Sequence, residues 1–193
     1  MKKNLLISLF VVVISILITC EQQPPVTHNY YPNKDQSEWL YKDVILDKEY
    51  LEKLNGTDTH ALYGPVQVLE ITSDNKTDKR YIQLVDSDGD GNTDVVIFYY
   101  DLKTDARTEL IHYPATVGQK WSWKVGDITY NGEVIAMETV TVEAGTFKNC
   151  PKIQYSYGGQ VQDVEWFADG VGMVRDALGG YYDWQLKSWT FPQ

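Results

Sequence analysis

From residue 38 onward the chain consists of short runs in which apolar and polar side chains alternate, separated by clusters of Gly, Asn and Asp. A two-residue period sends successive side chains to opposite faces, so each run predicts a strand with one face on a core and one in water. The runs are Trp39–Leu46, Val66–Thr72, Arg80–Val85, Asp94–Tyr100, Thr108–His112, Lys120–Val125, Glu133–Val142, Lys152–Tyr157, Gln162–Ala168, Gly172–Arg175 and Tyr182–Trp189. In one of the cleanest, Ile153, Tyr155 and Tyr157 point one way and Lys152, Gln154 and Ser156 the other. Val95 to Tyr100 is apolar throughout, which predicts cover on both faces. Asp47 to Gly56 reads differently: Asp47 could cap a helix on which Tyr50, Leu51 and Leu54 share a face, with Asn55-Gly56 ending it. The expected fold is therefore all-β: a single antiparallel domain, a curved sheet or a partial barrel or sandwich, with at most one short helix.

The first residues follow another plan. Lys2 and Lys3 precede an apolar run from Leu5 to Ile18, and no acidic residue occurs before Glu21. A basic start and an apolar run too short to span a bilayer describe a secretory signal. The run ends in Leu17-Ile18-Thr19-Cys20, which resembles a bacterial lipobox, with Thr19 in place of the usual Gly, Ala or Ser. Residues 1–19 are then a lipoprotein signal peptide, 20–37 a lipidated Cys20 and polar tether, and 38–193 the β domain. The alternative is an ordinary signal with an incidental cysteine. Acyl chains on Cys20 would hold the protein to a lipid bilayer, since each buried CH₂ contributes ~0.8 kcal/mol. Localisation follows as the bacterial cell envelope, and the outer membrane where the cell has two, because Glu rather than Asp follows the cysteine.

Charge narrows the partners. The chain carries 17 basic and 27 acidic residues, a net −10, and loss of Lys2 and Lys3 makes it −12. A strongly acidic body argues against nucleic acid and against docking on anionic head groups. With Cys20 acylated, Cys150 has no disulfide partner and reads as a small buried residue of a strand.

Two phrases in the C-terminal half carry a resemblance. Residues 138–150, ETVTVEAGTFKNC, resemble a V-x-V-P-A-G-T-F-x-x-C segment, with Glu143 in place of the proline. Residues 166–174, WFADGVGMV, resemble W-[FY]-A-x-G-[VI]-G-x-V. Together with YPATVGQKWSWKV from Tyr113, they resemble a broad group of uncharacterised bacterial envelope lipoproteins classed as a domain of unknown function. The resemblance implies a secreted, strand-rich domain and brings no activity. Gly145, Gly170 and Gly172 read as turn residues, and Phe147, Trp166, Phe167 and Val171 as packing residues. A fainter echo links Tyr31-Pro32 before Trp39-Leu40-Tyr41 to Tyr113-Pro114 before Trp121-Ser122-Trp123, which two half-domains of related plan or chance would equally explain.

The acidic loop DSDGDGNTD, residues 86–94, is the candidate metal site. Asp86, Asp88, Asp90 and Asp94 fall at positions 1, 3, 5 and 9 of a calcium loop. Gly91 stands where such a loop turns sharply, and Asn92 where a backbone carbonyl ligates. Position 12 is Ile97, so this is no EF-hand; it resembles shorter Ca²⁺ loops between strands of extracellular β proteins. A solvated acidic hairpin turn is the alternative, although carboxylates held ~4 Å apart repel by about 1 to 4 kcal/mol without a cation.

No catalytic constellation accompanies it. His28, His60 and His112 are scattered, and neither HExxH nor GxSxG occurs. The sequence predicts a non-catalytic binding module whose aromatic-lined concavity takes a lipid, a glycan or a protein strand. A structural or adhesive surface protein is the alternative, and a hydrolase a more distant one.

Overall fold

A computed structural model describes residues 28–192; the signal segment and Cys20 lie outside the described residues. Twelve strands form one sheet: β1 (Glu38–Asp43), β2 (Lys48–His60), β3 (Gly64–Ser73), β4 (Lys76–Val85), β5 (Val95–Tyr99), β6 (Arg107–His112), β7 (Lys120–Val125), β8 (Ile128–Val142), β9 (Gly145–Tyr157), β10 (Gln160–Ala168), β11 (Gly172–Leu178) and β12 (Tyr182–Thr190). Every pairing is antiparallel, and the order is β6-β5-β4-β3-β2-β1-β12-β11-β10-β9-β8-β7. Two six-stranded meanders are thus joined by hydrogen bonds between β1 and β12, and the sheet curls into a nearly closed barrel. The two aromatic strands of the sequence echo, β1 and β7, each begin one meander.

The seam between β6 and β7 is closed by side chains. The Trp121 and Trp123 indole N–H groups donate to the carbonyls of Glu109 and Arg107, each at 3.0 Å, and the Tyr155 hydroxyl donates to that of Leu110 at 2.6 Å. Trp121 can lie there because its cross-strand partner is Gly132: a Cβ on Gly132 would stand 2.2 Å from the indole ring.

The helix expected near residues 47–55 does not form; those residues belong to the β1–β2 turn and to β2. Asp47, read as a cap, has a positive φ of 53° in the turn, and Gly56, read as a terminator, has a φ of 79° at a bulge where the β2–β3 register shifts. Tyr50, Glu52 and Leu54 alternate along β2 with Leu51 and Lys53, so the two-residue period prevails once β1 and β3 flank the segment.

One end of the barrel is sealed by the segment before β1. Tyr30 and Tyr31, placed in the tether by sequence, are buried. Tyr30 stacks on Tyr113, and its N–H donates to the Tyr113 hydroxyl at 2.8 Å. The carbonyl of Asn29 accepts from Gly170 N–H. The acidic loop lies at this end. Because the strands run alternately up and down, the turns after β1, β3, β7, β9 and β11 gather at the opposite end.

Two signature phrases form hairpins that brace the barrel. Residues 138–150 make the β8–β9 hairpin and residues 166–174 the β10–β11 hairpin. The Trp39 indole packs beside Gly172 and donates to the Val171 carbonyl at 2.6 Å. Cys150 is fully buried in β9, and burial pushes its thiol pKa up to about 11, so it is an inert core residue.

Candidate functional site

A cavity of about 380 Å³ occupies the barrel interior, with every strand from β2 to β11 contributing to its wall. Eight aromatic side chains line it, among them Tyr50, Phe98, Trp123 and Tyr130. Its lining is graded. Tyr31, Leu69 and Phe167, toward the sealed end, are buried, whereas Tyr50, Tyr130 and Gln162, close to the gathered turns, are partly or fully exposed. The cavity therefore opens at the turn end, away from residues 28–33. Around that opening stand exposed apolar side chains: Val44, Ile45 and Leu46 of the β1–β2 turn, Tyr181 of the β11–β12 turn, and Val161 at the start of β10.

Four carboxyls also face this space: Glu52, Asp163, Glu165 and Asp176. Asp163, Glu165 and Asp176 each bring an oxygen within 4.8 Å of the others. The Tyr155 hydroxyl, whose single proton also serves the Leu110 carbonyl, stands 3.0 Å from Glu165 Oε2, and the Tyr182 hydroxyl donates to Asp163 Oδ1 at 2.9 Å. Asp176 Oδ1 is buried without a hydrogen-bond partner among the described residues. Removal from water penalises the charged form of each acid, and neighbouring carboxyls add repulsion. Burial pushes Glu52 up to about 7. Burial first, then Asp163, pushes Glu165 well above the usual carboxylate range. Burial, followed by a hydrogen bond with Asp163 and repulsion from Glu165, raises Asp176 strongly.

These acids escaped the sequence reading. Along β10, Asp163, Glu165 and Phe167 face inward while Val164 and Trp166 face out, the reverse of apolar-in and polar-out. Trp166 keeps its outer face dry through Lys152 and Arg175, each 4.9 Å from the ring. The available signal was the strict alternation of acids with apolar residues in DVEW, which fixes two faces without saying which is inside.

The acidic loop joins β4 to β5, as its flanks predicted. Asp86, Asp88 and Asp94 bring carboxylate oxygens within 4.8 Å of one another. Asp90 is not one of this trio: it accepts from the Asn92 backbone N–H at 2.7 Å and side-chain amide at 2.8 Å. Asp86 accepts from Gly89 and Gly91 N–H at 2.7 and 2.9 Å. Asp94 accepts from Ser87 N–H and hydroxyl, and these bonds lower its pKa. Gly89 and Gly91, at φ of 79° and 88°, supply the left-handed turns that fold the carboxylates back on one point. Three carboxylates on such a loop are a fitting donor set for a hard cation that prefers oxygen.

His28 bonds Asp169 at 3.0 Å, His60 the Thr104 carbonyl at 3.0 Å, and His112 Glu109 at 2.9 Å. None of the three lines the interior cavity. No curated protein and no solved structure matches the chain. Residues 120–178, which hold the seam strand β7 and both signature hairpins, match a family model described as DUF3108-like, so this part of the chain is similar to a domain of unknown function.

Proposed function

We propose that this protein is a lipid-anchored, non-catalytic binding protein of the bacterial envelope that takes a small ligand into the interior of its barrel. The carrying observation is the cavity. Protein interiors pack to the density of organic crystals. An aromatic-lined space of about 380 Å³, sealed at one end and open at the other, has the size and composition of a ligand pocket.

Two features support the non-catalytic part. The lining holds no His, Ser or Cys. Asp163, Glu165 and Asp176 each bring an oxygen within 4.8 Å of the others, which argues against an inverting glycosidase, whose working carboxyls stand ~6.5 to 9.5 Å apart. The Leu17–Cys20 motif supports the anchor. An anchor there leads into the sealed end and turns the mouth away from the bilayer. Calcium on Asp86, Asp88 and Asp94 serves as a structural clip between β4 and β5.

Native mass spectrometry of the gently purified protein tests the reading. A small molecule is expected to accompany the protein and to be absent from Thr108→Trp, which plugs the cavity from β6. A wild type that carries no adduct, and whose tryptophan emission responds to no lipid or aromatic compound, removes the proposal.

A further inference from the structure

We infer that the ligand seated in this cavity presents an organic ammonium group on an apolar or aromatic body, held between a carboxyl wall and an aromatic wall; the inference rests on reading the cavity as the ligand seat. Glu52 of β2, Asp163 and Glu165 of β10, and Asp176 of β11 belong to strands that flank the β1–β12 junction. Phe98 of β5, Trp123 of β7 and Tyr130 of β8 belong to strands around the β6–β7 seam, on the other side of the barrel. The two sets face each other across the cavity.

Among the described residues no basic side chain forms an ion pair with these acids. Arg80 is the one basic side chain in the lining. Among the described residues it forms no ion pair, and its guanidinium donates to the Lys79 carbonyl. Arg175, the neighbour of Asp176, is turned outward: both its hydrogen bonds to Asp183 measure 2.8 Å, and it lies over Trp166. Two carboxyls carry the consequence. Asp176 Oδ1 is buried without a hydrogen-bond partner among the described residues, and the carboxyl's one side-chain neighbour in hydrogen-bond reach is another acid, Asp163. Glu165 is nine-tenths buried and faces the cavity, and among the described residues only its Oε2 has a hydrogen-bond partner, the Tyr155 hydroxyl, whose one proton is shared with the Leu110 carbonyl. The other groups around the acids are tyrosines. Tyr182 donates to Asp163, Tyr155 shares its one proton between Glu165 and the Leu110 carbonyl, and Tyr31, Tyr41 and Tyr50 are held un-ionised by burial.

Buried carboxyls this close must hold either protons or a cation. An ammonium satisfies both walls at once. It pairs with the carboxylates, and the negative faces of aromatic rings attract it. A bare metal ion uses the acids alone, and an anionic head group meets repulsion. Val44, Leu46 and Tyr181 at the mouth offer the ligand's body an apolar approach. When the ammonium binds, it keeps its own protons. A carboxyl releases one to solvent, so a carboxylate–ammonium pair replaces a neutral acid. Affinity therefore rises with pH, by up to about tenfold per pH unit for each proton released.

The test titrates the full-length protein, in non-ionic detergent, with 2-phenylethylamine, neutral 2-phenylethanol and anionic 3-phenylpropanoate by calorimetry. The amine is expected to bind at least tenfold tighter than the alcohol, with release of protons seen as a buffer-dependent heat. The double variant Glu165→Gln, Asp176→Asn should lose that preference while keeping its thermal transition. If this variant does not fold, the proton count of the wild type and a loss of affinity in Tyr130→Ala decide. Equal binding of amine and alcohol, no proton release, or displacement of the amine by calcium in an Asp88→Ala background overturns the inference and leaves the cavity as a ligand seat. Failure of all three compounds to bind, with no co-purifying molecule, removes both.

Discussion

Two residues show how the interior works. Gly132 has no Cβ because the Trp121 ring occupies that place, with three indole atoms between 2.2 and 2.6 Å of where it would stand. Gly132→Ala must therefore push Trp121 off the Glu109 carbonyl. Overpacking of this kind costs about 1 to 3 kcal/mol, read as a lower denaturant midpoint with an unchanged circular dichroism spectrum at low denaturant. Glu52 tests the electrostatics. Its carboxyl is raised by burial from 4.5 to about 7, so the folded state holds a proton that the unfolded chain has released in that interval. The folded state binds more protons, and stability falls as pH rises from about 4.5 through 7, by at most about 3 kcal/mol for this group. Glu165 and Asp176 are raised too and extend the decline to higher pH. Glu52→Gln is expected to raise the melting temperature at pH 8 and to leave it nearly unchanged at pH 4. A wild-type melting temperature that climbs between pH 5 and 8 would contradict this account.

Among the elements, the seam and the acidic loop carry separate predictions. β6 and β7 do not pair as strands; indole and phenol donors hold β6 instead. Trp123→Phe keeps most of the packing but leaves the Arg107 carbonyl without its donor, a loss of about 1 kcal/mol. Amide exchange should quicken in β6 before it does in β1 or β12, which are paired on both sides. The loop between β4 and β5 gathers Asp86, Asp88 and Asp94. An ion that binds only the folded state stabilises by RT ln(1 + [L]/Kd), about 2.7 kcal/mol at a hundredfold excess over Kd. Calcium is thus expected to raise the melting temperature by several degrees, and magnesium by less because it keeps its waters. Asp88→Ala is the discriminating variant, since this carboxylate accepts only the Asp90 N–H within the loop. Its melting temperature should no longer respond to calcium. Identical wild-type melts in chelator and in millimolar calcium would return the loop to an ordinary acidic turn.

For the whole molecule, the chain enters the barrel at the end sealed by Tyr30 and Tyr31, and the cavity opens at the other. Cys20→Ser is expected to abolish palmitate labelling and release the protein from membranes. Absence of label on the wild type would remove the anchor. With the anchor in place, a fluorophore at Tyr181 should resist quenchers buried in the bilayer more than one at Asp169, beside the sealed end.

The all-β plan was determined by local pattern. Alternation at period two marks a strand wherever it falls, and Asn, Asp and Gly clusters mark turns, so eleven of the strands and the loop at 86–94 could be placed from residue order alone. β2 could not, because Asp47 and Gly56 serve a turn and a bulge as well as they would serve helix caps; pairing with β1 and β3 settled the choice. The interior carboxyls were likewise a tertiary decision. Alternation assigns Asp163 and Glu165 to one face and Val164 and Trp166 to the other, and the cheaper choice by burial alone is acids outward. Closure of the barrel reversed it: the Tyr155 and Tyr182 hydroxyls lie in hydrogen-bond reach of the acids inside, and Lys152 and Arg175 cover Trp166 outside. Those four partners come from β9, β11 and β12, and only the folded sheet brings them to β10.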